Sequence, residues 1–258
     1  MPESDLDLLV RAARAAGEIA GRFFRGSYWT RDKGGADGPV TEADHAVNDL
    51  LAAMLRSARP DYGWLSEETP DGPGRLSAGR VFILDPIDGT RAFIDGNPDF
   101  AHSLAVAEGG QVIAGVVFLP MRDRLYSAST ERDSALNGQP IRCSARTGLD
   151  GASVLTARSS LDPSHWKTGA SPGFVRSFRP SLATRMALVA DGTHDAMMTL
   201  RPAWEWDIAA GSLICARAGA EVSDRSGARL RFNTPGAKAD GVIAAGAGLW
   251  REIVEGLG

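Results

Sequence analysis

The chain has 258 residues, of which 43% are hydrophobic and 23% charged, and its formal net charge is −4. This composition is typical of a globular protein, and the length suits one large domain or two coupled ones. The acidic balance argues against a surface for nucleic acid or for an anionic membrane. The longest apolar run, near 112–119, is too short to span a bilayer, and the acidic start does not resemble a signal peptide. We therefore expect a cytoplasmic protein without a membrane partner.

The first half of the chain is predicted to combine two amphipathic helices with a set of short strands. An apolar stripe predicts a helix over residues 4–24, with Ser4 and Asp7 as its capping box. A glycine-rich segment at 31–39 is predicted to be a mobile loop, and a second helix is predicted over 42–57. Strands are predicted at 81–85, 102–107, 112–118 and 124–128, followed by a hairpin with an Asn-Gly turn at 135–144.

The second half is predicted to alternate helices and strands. We place the boundary near 145–152, which divides the chain into an N-terminal half, 1–148, and a C-terminal α/β half, 149–258. A strand at 153–158 is followed by a Pro/Ser/Gly-rich stretch to about 173. The remaining predicted elements are a helix at 183–191, an extended segment at 196–200, a helix at 207–219, a strand at 241–246 and a closing helix.

Carboxylates gather where these elements begin or end. The run VFILDPIDGT (81–90) ends a buried strand on Asp85 and Asp88, and the other candidates are Asp44, Glu67, Glu68 and Asp207. Carboxylates that meet in a low-dielectric site repel one another unless a cation lies between them. Because hard divalent cations such as Mg²⁺ prefer oxygen ligands, this pattern predicts a metal site that also accepts a substrate phosphate.

Simpler interpretations exist for several of these acids. Asp44 lies three residues after Thr41, as in a capping box, and Asp207 could serve only as a helix N-cap. Glu67 and Glu68 could belong to a solvated loop. A phosphatase of the haloacid dehalogenase type is excluded, because its two aspartates are two residues apart, whereas Asp85 and Asp88 are three apart.

Four short motifs in a fixed order resemble the signatures of the inositol monophosphatase superfamily, whose members are metal-dependent, lithium-sensitive phosphatases. The motifs are VTEAD (40–44), SEE (66–68), DPIDGT (85–90) and WDIAAG (206–211). The resemblance covers nearly the whole chain. It implies an α/β fold of the αβαβα sandwich type, with the site between the two halves, and a small phosphorylated metabolite as substrate. It leaves open whether the protein forms a homodimer.

The resemblance also implies a role for each residue of the site. One Mg²⁺ would be held by Glu67, Asp85 and the Ile87 carbonyl, a second by Asp85, Asp88 and Asp207, and a weaker third by Glu67 near the loop of Lys33. Attacking water would be oriented by Asp44 and Thr90, phosphate received by the amides of Gly89 and Thr90, and the ligands supported by Glu68. Two to three Mg²⁺ ions per site are therefore expected, and no phospho-enzyme is required.

The substrate branch is predicted from departures within these motifs. Ser66 and Leu200 stand where inositol phosphatases typically have a glycine and an acidic residue, and Arg185 stands where bisphosphate nucleotidases often have a lysine. We therefore expect a 3'(2'),5'-bisphosphate nucleotidase, with Arg185 and Glu205 contacting substrate. The alternative is an inositol-1-monophosphatase, followed by a histidinol-phosphatase or a sugar phosphatase. The presence of Asp44, Thr90 and all the proposed metal ligands argues against a further alternative, a non-catalytic metal- or phosphate-binding protein, since such a protein should have lost some of them.

One further departure lies on the second predicted helix. Asn48 stands where many members of the superfamily carry a glutamate on the same helix face. A neutral side chain at this position would loosen the water network around the metal ligands. The chain offers no histidine or cysteine spacing for a metal, so the site is expected to rest on oxygen ligands alone.

Overall fold

The structure, a computed structural model, describes residues 3–34 and 38–258 and contains six α-helices in these ranges. The helices are α1 (Asp5–Phe23), α2 (Glu42–Ala58), α3 (Thr90–Ile94), α4 (Leu182–Ala190), α5 (Glu205–Arg217) and α6 (Ala247–Gly256). None of the helices in the described ranges is long and apolar enough to cross a membrane.

Most strands belong to two sheets that follow one another along the chain. The first sheet has seven strands in the order of the chain: β3 (Gly63–Ser66), β4 (Arg80–Asp88), β5 (Ala101–Glu108), β6 (Gln111–Leu119), β7 (Arg124–Ser129), β8 (Ala135–Leu136) and β9 (Gln139–Pro140). The second has five strands, ordered β11 (Val175–Ser177), β10 (Ser153–Thr156), β12 (Ala196–Thr199), β16 (Val242–Gly246) and β14 (Ala220–Ser223). Two small antiparallel pairs join β1 (Thr30–Asp32) to β2 (Pro39–Thr41) and β13 (Ala203–Trp204) to β15 (Lys238–Ala239).

Three apolar clusters join the helices and sheets into five layers. In the first, α1 and α2 pack on the outer face of the seven-stranded sheet, burying Leu9, Leu51 and Phe82 among others. In the second, α4 and α5 lie between the two sheets, where Met186 and Ile208 are buried. In the third, α6 covers the outer face of the five-stranded sheet. The predicted αβαβα sandwich is therefore confirmed.

Local sequence signals agree closely with the observed boundaries. Ser4 caps α1 by accepting a hydrogen bond from the Asp7 amide, and the hairpin between β8 and β9 turns on Asn137 and Gly138, both with positive φ. Strand β4 extends three residues beyond the predicted strand, so that Asp85 and Asp88 both belong to it. The bulge between these two aspartates, where the pairing with β5 shifts register, accommodates the proline.

The predicted mobile loop at 31–39 requires a correction. Its two ends are paired as parts of the strands β1 and β2, with Asp32 opposite Pro39. The antiparallel pairing supplies backbone hydrogen bonds that a loop would lack. The centre of the segment, 35–37, lies outside the described residues. The division of the chain into halves at 145–152 coincides with the change from one sheet to the other, but it stays a prediction, since one apolar cluster joins both sheets.

Candidate active site

Three carboxylates from three separate elements meet near the carboxyl end of β4. Oxygen atoms of Glu67, Asp85 and Asp207 all lie within 4.8 Å of one another. Glu67 follows β3, which runs parallel to β4, and Asp207 lies in the first turn of α5. Parallel strands end at the same edge of a sheet, which brings the first two together. A hydrogen bond from the Ser103 hydroxyl in β5 to the Trp206 carbonyl, 2.8 Å long, holds the start of α5 against this edge.

The charges of this cluster are costly in the absence of a cation. Burial, together with the negative charge of Glu67, raises the pKa of Asp85 well above its usual range. Burial and the charge of Asp88 do the same for the pKa of Asp207. Metal ligands must be deprotonated, so a group of buried carboxylates that resists ionisation alone is stabilised by a bound cation. The donor set consists of oxygen only, which suits a hard divalent ion.

Lys33 forms ion pairs with both glutamates of the SEE motif. Its ammonium group donates to Glu67 Oε1 at 2.9 Å and to Glu68 Oε1 at 2.6 Å. These carboxylates raise the pKa of Lys33 although burial alone would lower it. Burial raises the pKa of Glu68 to about 7, against the opposing effect of Lys33. The solvated-loop interpretation of this glutamate pair is therefore wrong, since the Glu68 side chain is only 4% exposed.

The two carboxylate oxygens of Asp44 have different hydrogen-bond partners. Its Oδ2 accepts hydrogen bonds from the Thr41 amide and hydroxyl, which is the capping box that the simpler interpretation described. Its Oδ1 accepts a hydrogen bond of 3.1 Å from the hydroxyl of Thr90. Burial raises the pKa of Asp44 to about 6. The Thr90 hydroxyl also lies 3.2 Å from the carbonyl oxygen of Ile87. Because Ile87 follows Asp85 by two residues in β4, the Asp44–Thr90 pair lies beside the acidic cluster.

The end of β4 and the turn into α3 are held in one conformation by several contacts. The Ile87 amide donates to Asp85 Oδ1, and the buried His102 ring contacts the Pro86 carbonyl through Nδ1. Burial lowers the pKa of His102 to about 4, so the ring is neutral at physiological pH. Gly89 has φ +100°, and a Cβ there would lie 3.4 Å from the Cβ of Ser181. Glycine therefore suits this turn because of its backbone conformation, since a Cβ at that distance would make only an ordinary van der Waals contact.

Asp88 lies beside the cluster but does not belong to the close group of three. Its Oδ2 accepts hydrogen bonds from the Ser181 hydroxyl at 2.7 Å and from the Ala183 amide at 2.6 Å, at the start of α4. Burial raises its pKa to about 6 despite these bonds. Its Oδ1 atom accepts no hydrogen bond from the described residues. Sequence reasoning did not name Ser181, although serine before an apolar helix is a recognisable N-cap signal.

Asp207 is the third residue of α5, whose N-cap is Trp204. The alternative that Asp207 serves only as an N-cap is therefore wrong. Asn48 accepts hydrogen bonds through its Oδ1 atom from Ser66 and Thr69, at 2.8 and 3.3 Å, so this amide anchors the loop that carries the two glutamates.

One of the two predicted substrate contacts, Glu205, is placed differently from expectation. The Glu205 carboxylate is fully buried and accepts hydrogen bonds from the amides of Asn233 and Thr234. Because both of its oxygens are occupied within the protein, the prediction that Glu205 contacts substrate is corrected to a structural role. Burial lowers the pKa of Arg185 to about 10, while Asp88 and Asp207 are close enough to oppose this shift.

The Arg185 guanidinium is also held by its own surroundings. Its Nε donates to the Arg179 carbonyl at 2.5 Å, and its carbon lies 4.5 Å from the centre of the Phe178 ring. Helix α4 contains no aspartate or glutamate with which Arg185 could pair. The contact of Arg185 with substrate stays a prediction.

Comparison with known proteins places these residues in a family. A model of the inositol monophosphatase family matches residues 1–256. The chain is 35% identical over 236 residues to Nus factor SuhB of Pseudomonas aeruginosa, with 86% of each chain covered. It is 34% identical over 237 residues to inositol-1-monophosphatase of Mesorhizobium japonicum, again with 86% of each covered.

Solved structures give the same result at the level of the fold. SuhB of Bartonella henselae superposes with a TM-score of 0.83 and 28% identity, over 96% of both chains. The IMPase of Thermotoga maritima superposes with a TM-score of 0.83 and 27% identity, over 97% of this chain and 95% of that one.

Proposed function

Because the chain belongs to the inositol monophosphatase family, we propose that it is a Mg²⁺-dependent phosphatase whose first candidate substrate is inositol 1-phosphate. Members of this family are metal-dependent phosphomonoesterases that act on small phosphorylated substrates, and the chain is a hydrolase of this class. The observation that carries the proposal is the meeting of Glu67, Asp85 and Asp207 beside the Asp44–Thr90 pair.

The carboxylates fit the ion that the family requires. Glu67, Asp85 and Asp207, with the remaining oxygen of Asp88 and the carbonyl of Ile87, would hold two to three Mg²⁺ ions. When bound, the metal supplies charge stabilisation for the phosphate and lowers the pKa of water. Lys33 neutralises part of the negative charge next to Glu67, and Glu68 keeps that lysine in place.

The Asp44–Thr90 pair is suited to positioning the attacking water. The Thr90 hydroxyl donates a hydrogen bond to Asp44. The lone pairs of the Thr90 oxygen are then left to accept a hydrogen bond from water. A carboxylate with a pKa of about 6 is a good general base near neutral pH. The left-handed turn at Gly89 then directs the first amides of α3 toward the position proposed for the phosphate.

A bisphosphate nucleotidase is the second candidate. The observation that favours it is the Arg185 guanidinium close to Asp88 and Asp207, together with the apolar Leu200 where an acidic partner for sugar hydroxyls would stand. The names of the relatives favour the first candidate, since one is an inositol-1-monophosphatase. An arginine contact to a second phosphate would contribute about 1.5–3 kcal/mol.

A phosphate-release assay with both substrates in one tube decides between the candidates. Inositol 1-phosphate and adenosine 3',5'-bisphosphate are supplied at equal concentration with Mg²⁺, and EDTA is added to a matched sample. We expect EDTA to abolish release and excess Mg²⁺ to restore it. Full activity in EDTA would overturn the metal-dependent mechanism.

The identity of the faster substrate assigns the branch. Faster consumption of inositol 1-phosphate supports the first candidate, and the reverse order establishes the second. In the second case, Arg185→Ala should lower kcat/KM for the bisphosphate by roughly ten- to a hundredfold and leave inositol 1-phosphate nearly unchanged. An equal loss for both substrates would mean that Arg185 only supports the fold.

A further inference from the structure

Two adjacent residues of β5, His102 and Ser103, lie where β4 bends into the candidate active site. Ser103 lies opposite Asp85 in the ladder between the two strands, and Ala101 lies opposite Asp88. The single residue His102 therefore faces the two β4 residues between the aspartates, which is the arrangement of a β-bulge. Both side chains are fully buried, so a direct contact with substrate is not their role.

Ser103 connects the strand position of Asp85 to the start of α5. Residues that lie directly opposite in an antiparallel pair point to the same face of the sheet, with Cβ atoms about 4.5–5.5 Å apart. On this face, which α5 covers, the Ser103 hydroxyl donates to the Trp206 carbonyl at 2.8 Å. That carbonyl belongs to the peptide group that joins Trp206 to Asp207. The hydrogen bond therefore fixes the backbone of one proposed ligand beside another.

His102 acts on Asp85 through a single peptide group. Its Nδ1 atom contacts the Pro86 carbonyl, and a carbonyl oxygen only accepts hydrogen bonds, so Nδ1 is the donor. The N–H of the same peptide group, which belongs to Ile87, donates to Asp85 Oδ1 at 2.9 Å. The other ring nitrogen, Nε2, is buried without a hydrogen-bond partner among the described residues. The histidine thus orients the peptide group that in turn orients the carboxylate.

We propose that Ser103 and His102 are positioning residues, which hold Asp207 and Asp85 at the separation that a shared Mg²⁺ ion requires. Each acts through a backbone carbonyl next to a ligand. Mg²⁺ demands near-octahedral geometry at about 2.0–2.1 Å, so it tolerates little displacement of its ligands. Loss of a group that orients a metal ligand typically lowers metal affinity roughly ten- to a hundredfold. The identity of the ion rests on the proposed function.

Ser103→Ala tests the first contact, and Ser134→Ala is its matched control. Ser134 is also a buried serine, and its hydroxyl donates at 2.6 Å to the carbonyl of Ile214, near the other end of α5. Each substitution removes one buried hydrogen bond to the same helix, so both variants should unfold at a similarly lowered temperature in EDTA. The readout is the Mg²⁺ dissociation constant, fitted from the rise in Tm with Mg²⁺ at constant ionic strength and without substrate.

Only Ser103→Ala should raise this dissociation constant, by roughly ten- to a hundredfold. Ca²⁺ accepts flexible coordination at about 2.3–2.6 Å, so the same variant should lose less affinity for Ca²⁺ than for Mg²⁺. Equal Mg²⁺ affinity in wild type, Ser103→Ala and Ser134→Ala would overturn the proposal. Equal losses of Mg²⁺ and Ca²⁺ affinity would also overturn it, because general damage to the site would then explain the result.

His102→Asn and His102→Leu form a second matched pair. The two replacements are nearly the same size and both remove the ring, but only asparagine keeps an N–H donor near the position of Nδ1. We expect His102→Leu to bind Mg²⁺ roughly tenfold or more weakly than His102→Asn. Equal Mg²⁺ affinity in these two variants would refute the role of His102, since the donor would then have no effect on the metal.

The titrations contain no substrate, so they separate this proposal from the proposed function. A wild type that binds Mg²⁺ but hydrolyses neither candidate substrate would refute the proposed function alone, and the serine pair would still decide the positioning role. A wild type that hydrolyses substrate while Ser103→Ala keeps its Mg²⁺ affinity would refute the positioning role alone. A wild type that binds no Mg²⁺ would refute both.

Discussion

Asp207→Asn should stabilise the metal-free protein while it damages metal binding. In the folded chain, Asp207 faces Glu67 and Asp85 within 4.8 Å, and its pKa is raised. Replacing this carboxylate by a neutral amide of similar shape removes two like-charge pairs. The same change removes a metal ligand, so stability without metal and function with metal should move in opposite directions.

The size of the expected gain in stability follows from the distance between the carboxylate oxygens. Two unit charges 4.8 Å apart repel by about 3.5 kcal/mol at an effective dielectric constant of 20. Two such pairs amount to about 7 kcal/mol, a large part of a typical free energy of unfolding of roughly 5–15 kcal/mol. The folded protein lowers this energy by taking up protons, and each unit of pKa shift corresponds to about 1.4 kcal/mol. We therefore expect a gain of about 1–3 kcal/mol at pH 8, or roughly 2–4 °C in Tm per kcal/mol.

The sign of the pH dependence is opposite to that of an ordinary paired carboxylate. The folded-state pKa of Asp207 is raised, so the folded protein keeps a proton that the unfolded chain releases near pH 4. Wild-type stability is lost as the pH rises from about 4 through the folded-state pKa. The variant lacks this loss, so its advantage should be small near pH 4 and should grow as the pH rises toward 8. Lowered pKa values at His102 and His194 affect both proteins equally.

Thermal unfolding of both proteins in EDTA and in Mg²⁺, at pH 4.5 and pH 8, measures these differences. Wild type should gain more from Mg²⁺ than the variant, and the phosphatase activity of the variant should recover partly at high Mg²⁺. Asp49→Asn, which changes an exposed aspartate on α2, is the control and should shift neither quantity. A lower Tm for Asp207→Asn in EDTA at pH 8, or an equal advantage at both pH values, would refute the electrostatic reasoning.

Three further substitutions test other parts of the site. Thr90→Ala should lower kcat by roughly a hundredfold, in the range of general acid–base effects, yet leave the Mg²⁺ titration midpoint unchanged; a response to added Mg²⁺ like that of Asp207→Asn would mean that Thr90 helps to hold metal. Gly89→Ala should lower the free energy of unfolding in urea by about 1–2 kcal/mol, because φ is +100°, a conformation that strains any residue with a Cβ. Unchanged stability would show that the turn tolerates a side chain. Glu205→Gln should lower the free energy of unfolding by about 1–3 kcal/mol and leave the ratio of kcat/KM for the two candidate substrates unchanged. A changed ratio would restore Glu205 as a substrate contact.

Several predictions came close to the structure because their signals are local. The helix caps at Ser4 and Thr41, the Asn-Gly turn and the apolar stripes depend on residues three or four positions apart. The resemblance of the four motifs to a known superfamily was enough to predict the fold, and the family match and structural likeness confirm that prediction. The mobile loop at 31–39 was mispredicted because glycine and charge density describe its centre but not the pairing of its ends.

The roles of individual side chains depended on partners that are distant in sequence. Lys33 reaches Glu67 and Glu68 across more than thirty positions, and Asp88 is bound by Ser181 at the start of a helix 93 positions further along the chain. Glu205 carries the charge and position expected of a substrate contact, but the loop at 233–234 occupies its carboxylate. No periodicity or spacing within the sequence specifies these contacts.

The sequence by itself determined which residue types were available and at which ends of the elements they stood. Asp85 and Asp88 follow an apolar run directly along the chain, so they stand at the end of whatever strand that run forms. Only the tertiary structure decided that Glu67, Asp85 and Asp207 come within 4.8 Å of one another while Asp88 turns toward α4. The physical reason is that strand pairing and the burial of α5 between two sheets set these distances. The energy of a buried charge depends on the partners that such packing brings to it.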